Sequence, residues 1–166
     1  IEPISYRIEF KPNGGEGAMP QQLRKYDDNV AIYSNLFTRS GYAFNGWYEY
    51  RNEETYAEGY TGNLTAENSD VVTLYAQWAQ VVCDVTHGEC NTNVTKNSSG
   101  EFQTTVTCES GYNHDGKPTF EVYAGVEDDT ITFTGNCEPT EYTITYNLDG
   151  GRSSIKIFGD KIVNEK

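Results

Sequence analysis

Residues 2–15, EPISYRIEFKPNGG, and residues 138–151, EPTEYTITYNLDGG, align without a gap. Glu, Pro, Tyr, Ile and both glycines coincide, while Phe10 becomes Tyr146 and Asn13 becomes Asp149. Each copy alternates apolar and polar residues before a glycine-bearing turn, with Tyr6, Ile8 and Phe10 on one face of the first and Tyr142, Ile144 and Tyr146 on one face of the second. A period of two is that of a strand with one buried side, and Asn or Asp followed by Gly marks a tight turn. The chain therefore opens one strand-led module and opens a similar one at Glu138.

Between the copies, turn signals recur too often for ordinary helices. Gly41, Asn45-Gly46, Gly59, Gly62-Asn63, Ser99-Gly100, Asp115-Gly116 and Gly135-Asn136 cut the chain into short pieces. The pieces Val71 to Trp78, Phe102 to Cys108, Phe120 to Tyr123 and Ile131 to Phe133 are rich in β-branched and aromatic residues. The class is mainly β, with a single helical turn expected at most near Gln21 to Lys25 or Ala57 to Tyr60. Tyr42, Phe44 and Trp47 cannot share a face of an ideal strand, because the second spacing is odd, so Asn45-Gly46 is expected to bulge and return Trp47 to the core. Val72, Leu74, Ala76 and Trp78 form one apolar face that another layer must cover.

Four cysteines, Cys83, Cys90, Cys108 and Cys137, follow one another with six, seventeen and twenty-eight residues between them. An even count in a short β-rich stretch points to two disulfides and an oxidising compartment, while the absence of a Cys-x-x-Cys knuckle argues against zinc. Of the three pairings that four cysteines allow, Cys83 with Cys108 and Cys90 with Cys137 is expected, on the view that the strands entering Cys83 and Cys108 lie side by side. All four fall after Ala79-Gln80, which sets a division into residues 1–79, 80–137 and 138–166.

With 25 acidic and 12 basic side chains the net charge is -13, which excludes phosphate backbones as partners because those need clustered Lys and Arg. No apolar run reaches the roughly 18 residues of a membrane-spanning helix. Ile rather than Met at position 1 points to a removed leader or a longer parent chain.

Three segments carry a family likeness: NGGEGAMP at Asn13 to Pro20, LFTRSGYAFNGWYEY at Leu36 to Tyr50, and NLTAENSDVVTLYAQW at Asn63 to Trp78. In this order and spacing they resemble the Listeria-Bacteroides repeat, also called the internalin B-repeat, over about Tyr6 to Trp78, with a partial second match from Tyr142. The resemblance implies a small β-grasp-like module, strung in tandem in secreted and surface-attached bacterial proteins as spacer, stalk or adhesive unit, with no catalytic residue. The cysteine segment lies outside the family's motif.

The catalytic vocabulary is thin. Only His87 and His114 are of the side-chain type suited to acid–base work near neutral pH, both sit in glycine-bearing loops, and no nucleophile elbow, P-loop, HExxH or dinucleotide fingerprint occurs. Adjacent acids such as Asp27-Asp28 and Asp128-Asp129 read as solvated turn charges, and Glu127 to Asp129 lacks the spacing of a calcium loop. The expectation is a non-enzymatic extracellular or cell-surface protein without cofactor or metal, built as a tandem stalk or as a filament subunit. Its partners are then copies of itself or neighbouring repeats. The alternative is a host-protein or glycan-binding module that uses Tyr48, Tyr50, Tyr56 and Tyr60.

Tyr142 to Phe158, with Ile155 and Ile157 on its second limb, reads as a hairpin. Two strands alone are marginal in water, so this hairpin is expected either to dock on the cysteine segment of the same chain or to complete the sheet of a neighbouring molecule by strand addition. The residues expected to carry that pairing are Tyr6, Ile8, Phe10, Tyr142, Ile144, Tyr146, Ile155 and Ile157.

Overall fold

The computed structural model describes the backbone of residues 2–148, 151–158 and 161–165, and side chains from Glu2 to Thr145. Every regular element among the described residues is a strand. The chain divides into two compact units, Ile1–Val81 and Val82–Lys166.

The first unit is a mixed sheet of β1 (Ser5–Lys11), β2 (Gln22–Lys25), β3 (Tyr42–Glu49), β4 (Glu54–Tyr56) and the leading part of β5 (Val71–Thr86). β1 lies in the middle, antiparallel to β2 and parallel to β5; β3 pairs antiparallel with both β5 and β4. Parallel neighbours need a long crossover, and the chain between β1 and β5 supplies one that carries β2, β3 and β4 on its way. Tyr6, Ile8 and Phe10 from β1 and Val72, Leu74 and Ala76 from β5 point to the same side, as their period of two requires, and all are buried. Ile32, Phe37 and Leu64, from irregular segments, cover that side. No helix does so among the described residues. Within Gln21 to Lys25, expected as a possible helical turn, Gln22–Lys25 is a strand, because β1 offers it a hydrogen-bonding edge; Ala57 to Tyr60 is a simple turn closed by Tyr60 N–H to the Ala57 carbonyl at 3.2 Å.

The expected bulge is present. Phe44 faces Trp78 and Trp47 faces Ala76, so Asn45 and Gly46 together oppose the single residue Gln77. Gly46 has φ of +100°, a left-handed conformation that glycine adopts without steric cost. Phe44 and Trp47 consequently both reach the core despite their odd spacing, with ring centroids 4.8 Å apart, and Trp47 also packs on Phe10 at 4.9 Å.

The second unit contains β6 (Gly88–Cys90), β7 (Thr95–Lys96), β8 (Phe102–Cys108), β9 (Tyr112–Asn113), β10 (Thr119–Ala124), β11 (Val126–Glu127), β12 (Thr130–Asn136), β13 (Glu138–Pro139), β14 (Glu141–Leu148), β15 (Gly151–Phe158) and β16 (Lys161–Glu165). β8 is central, paired antiparallel with β6, β7 and β10. Its alternate residues Phe102, Thr104 and Val106 are buried, as are Val122, Ile131, Phe133 and Cys137. The one polar member of that row, Thr104, has a partner: its hydroxyl donates to the Asn91 carbonyl at 2.8 Å. Asp128 and Asp129 both have positive φ and form the two-residue turn between β11 and β12, which is the place of this acidic pair in the fold. β14, β15 and β16 form a separate antiparallel three-stranded sheet, one strand more than the expected hairpin.

Candidate functional site

The strand expected to pair, β1, is held from several directions. Asn13 and Gly14 at its end both have positive φ, and the Gly15 N–H bonds the Pro12 carbonyl at 3.0 Å, so the Asn-Gly turn forms as the residue types dictate. Trp78 closes over this turn, its indole Nε1 donating to the Pro12 carbonyl at 2.9 Å. A Cβ at Gly15 would lie 2.6 Å from the Trp78 ring, so only glycine fits there. Asn13 Nδ2 donates to the Ala76 carbonyl at 2.8 Å.

At the other end of β1, Arg24 of β2 is 1% exposed beside Tyr6. Its Nη1 donates to the Tyr6 hydroxyl at 2.9 Å and the Gly62 carbonyl at 2.8 Å; its Nη2 donates to the carbonyls of Val30 at 2.6 Å and Thr61 at 2.9 Å. A guanidinium is always charged, so here neutral acceptors replace the water lost at Nη1 and Nη2, while Nε is buried without a partner. The segments around Val30 and around Thr61–Gly62 are fastened to β2 by this side chain.

A second fastening uses charge pairs. Glu49, buried at the end of β3, accepts from Arg51 Nε at 2.9 Å and from the Asn52 N–H at 3.0 Å, and Arg51 grips both carboxylate oxygens of Asp70 at 3.1 Å. Hydrogen bonds from Arg51 hold the Asp70 carboxyl below its ordinary value and raise the guanidinium further above its own.

Residues 6–77 match the Listeria-Bacteroides repeat domain. No curated protein and no solved structure gives a match. The Listeria-Bacteroides repeat domain is typical of bacterial surface repeat proteins. Its bounds coincide with the first sheet, from Tyr6 in β1 to Gln77 in β5.

The four tyrosines expected as one contact surface do not share a face of the repeat domain. Tyr48 pairs with Tyr75 on the outer side of the sheet, where the Tyr50 ring stands edge-on to both at 4.8 and 4.9 Å. Tyr56 sits opposite Trp47, packs against the core and meets the Tyr60 ring at a tilt, centroids 4.8 Å apart; burial pushes its hydroxyl above its ordinary value. Sequence reading missed this split because Tyr48 and Tyr56 lie on different strands whose register the sequence does not display.

Outside the repeat domain, the disulfides are Cys83–Cys90 and Cys108–Cys137, with Cα separations of 5.9 and 5.8 Å, in place of the pairing expected from the sequence. The reason is local. The chain reverses at His87, whose φ is +55°, and folds Cys90 back toward Cys83. Cys108 then falls opposite Gly88 in the β6–β8 ladder, and the Cys137 N–H bonds the Thr86 carbonyl at 3.0 Å. A Cβ at Gly88 would sit 3.0 Å from Cys137 Sγ, so this glycine makes room for the second disulfide.

Each of the two histidines lies flat against an aromatic ring. His87 stacks on Tyr112 at 4.1 Å with Glu109 Oε2 at 3.3 Å, and His114 stacks on Phe120 at 3.9 Å with its Nδ1 at 3.0 Å from the Asn136 carbonyl oxygen. An open cavity of about 480 Å³ lies beside His114, lined also by Asp115, Lys117 and Glu121.

The second copy of the strand signature lies in β14, where Tyr142 pairs with Ile157 and Ile144 with Ile155. Tyr142 is 50% exposed, against 1% for its counterpart Tyr6. The side chains of Tyr146, Ile155 and Ile157 lie outside the described residues. Among those described, β14 has one neighbour, β15, whereas β1 has two.

Proposed function

We propose that this chain is a non-enzymatic, extracellular structural segment of a bacterial surface protein, whose strands extend it by pairing with further modules or with other copies. The observation that carries this reading is the repeat domain at residues 6–77, a domain typical of bacterial surface repeat proteins, joined to a unit with two disulfides. Disulfides persist in oxidising compartments, which supports the extracellular placement. Rigidity is the working property: both units are built on sheets, and each disulfide adds typically about 2–4 kcal/mol. Electron microscopy of the purified chain over a range of concentrations tests the reading. Rods or threads that lengthen with concentration support it; isolated particles at every concentration oppose it.

A second reading, contact with a host protein or glycan, has one specific surface in its favour, the Tyr48, Tyr50 and Tyr75 cluster on the outer face. Tyr50 is 59% exposed there, and aromatic clusters are enriched at interfaces. Binding to cells or glycan arrays that survives Tyr50→Ser and Tyr75→Ser removes this reading.

A further inference from the structure

β10 is an edge strand: it pairs with β8 alone, in an unbroken register from Thr119 to Ala124. The Cys108 N–H bonds the Pro118 carbonyl at 2.9 Å, which sets the phase of the ladder. Phe120, Val122 and Ala124 therefore exchange bonds with β8, and the N–H and C=O groups of Thr119, Glu121 and Tyr123 point the other way. Among the described residues nothing bonds those outward groups. Native sheets blunt such rows. At the edges of the first sheet, β4 has three residues and β2 has four, with Asp28 closed on its end, taking the Lys25 N–H and giving its own N–H to the Lys25 carbonyl, both at 3.3 Å. On the far side of β8, β6 and β7 have three and two residues. β10 has six, without proline, lysine or bulge.

We infer that β10 receives an extended segment of another protein as an added antiparallel strand, one in which apolar and polar residues alternate and a lysine or arginine stands opposite Glu121. The alternation follows from the pleat. Val122 is buried and Phe120 partly buried on the inner face, so the added residues beside them extend that apolar layer, while those opposite Thr119, Glu121 and Tyr123 stand on the exposed face. The charge follows from Glu121, since opposite charges directly across a ladder attract and like charges repel. Between positions 82 and 145 only Lys96 and Lys117 are basic, against eleven acidic side chains. The open cavity beside His114 is lined by Thr119 and Glu121, two of the residues whose backbone is free, together with Asp115 and Lys117. It opens along the first half of the edge and has room for a long side chain. Main-chain bonds give such a contact its strength, and the cavity gives it a preference.

A second copy of β10 is a poorer occupant. Two such strands brought together about a two-fold axis set their Glu121 carboxylates opposite or diagonal to each other, with no basic residue in the strand to offset them. The edge lies outside the repeat domain, and the inference does not depend on the assembly reading above.

Titration of the full chain with the acetylated, amidated peptide KTVKVTK tests this, with amide exchange followed residue by residue by NMR at low salt. The central lysine is the residue that faces Glu121. The expected result is slowed exchange at the Glu121 and Tyr123 N–H groups, while Val122, already bonded to β8, is unchanged. The acidic counterpart ETVEVTE binds about fivefold or more weakly. N-methylation of the central lysine keeps every charge and removes the donor that faces the Glu121 carbonyl, so it lowers affinity about tenfold or more. Tyr123→Pro acts from the protein side: it deletes one of the outward N–H groups, so the internal ladder is kept while binding weakens. Undiminished affinity for the methylated peptide reduces the contact to surface charge and overturns the inference, as does equal affinity for KTVKVTK and ETVEVTE or protection by neither. Protection of Glu121 and Tyr123 without peptide that rises with chain concentration overturns it in favour of a second copy on β10. Protection without peptide at every concentration shows the edge covered within the chain, and overturns it too.

Discussion

The Arg24 guanidinium lies against Tyr6, giving one hydrogen bond to the Tyr6 hydroxyl at 2.9 Å and three to the carbonyls of Val30, Thr61 and Gly62. No carboxylate supplies these bonds, so the side chain works as a fork with neutral acceptors rather than as half of an ion pair. Arg24→Met retains much of the volume and leaves three carbonyls without this donor. The expected loss is about 3 kcal/mol or more, read as a lower urea midpoint of the first unit. Arg24→Lys recovers only part of it, since an ammonium cannot span both loops.

Acid weakens the first unit through Asp70. Its folded pKa lies below the ordinary value of 3.8 because Arg51 and neighbouring donors favour the carboxylate. A group depressed on folding contributes stability above its unfolded pKa and loses that contribution as pH falls through the folded value. Asp70→Asn is therefore less stable than the parent at neutral pH, and the gap closes below 3.8. Urea midpoints of the pair from neutral pH down into the acid range check this; a gap independent of pH contradicts it.

Gly46→Ala tests the bulge. At φ of +100° an alanine is strained, and its Cβ would stand 3.2 Å from the Tyr56 carbonyl oxygen. The expected loss is about 1–3 kcal/mol, together with a change in Trp47 emission, since that ring is buried directly beyond the bulge.

The two disulfides are unequal. Cys108–Cys137 closes a separation of 29 residues and Cys83–Cys90 one of 7. On chain entropy alone the longer loop stabilises by about 1 kcal/mol more, and Cys137 is buried while Cys83 is exposed. Replacing Cys108 and Cys137 with Ala therefore lowers the midpoint of the second unit further than replacing Cys83 and Cys90. Under graded reductant Cys83 is alkylated before Cys137.

What the sequence displayed was what short range decides. The inward rows Tyr6, Ile8, Phe10 and Val72, Leu74, Ala76 follow from a period of two, and the Asn45-Gly46 bulge follows from the odd spacing between Phe44 and Trp47. The strand identity of Gln22–Lys25 was hidden, because a four-residue stretch takes its conformation from the edge beside it. The disulfide partners were hidden too, since the turn at His87 that sets them carries no glycine or proline at the reversing residue. Arg24 gave no signal: a lone arginine on a short strand reads as surface charge until the loops close over it. The division of the tyrosines between two faces waited on the register of β4 against β3.

Amide hydrogen exchange of the peptide spanning Glu141–Leu148, followed by mass spectrometry from micromolar to millimolar protein, tests most directly whether this chain assembles through its second strand signature. Strand pairing with another copy, as the proposed assembly requires, gives β14 a neighbour besides β15, so protection at Thr143 to Thr145 rises with concentration in step with sedimenting mass. Exchange at those residues that stays constant while the chain sediments as one unchanging species contradicts the account.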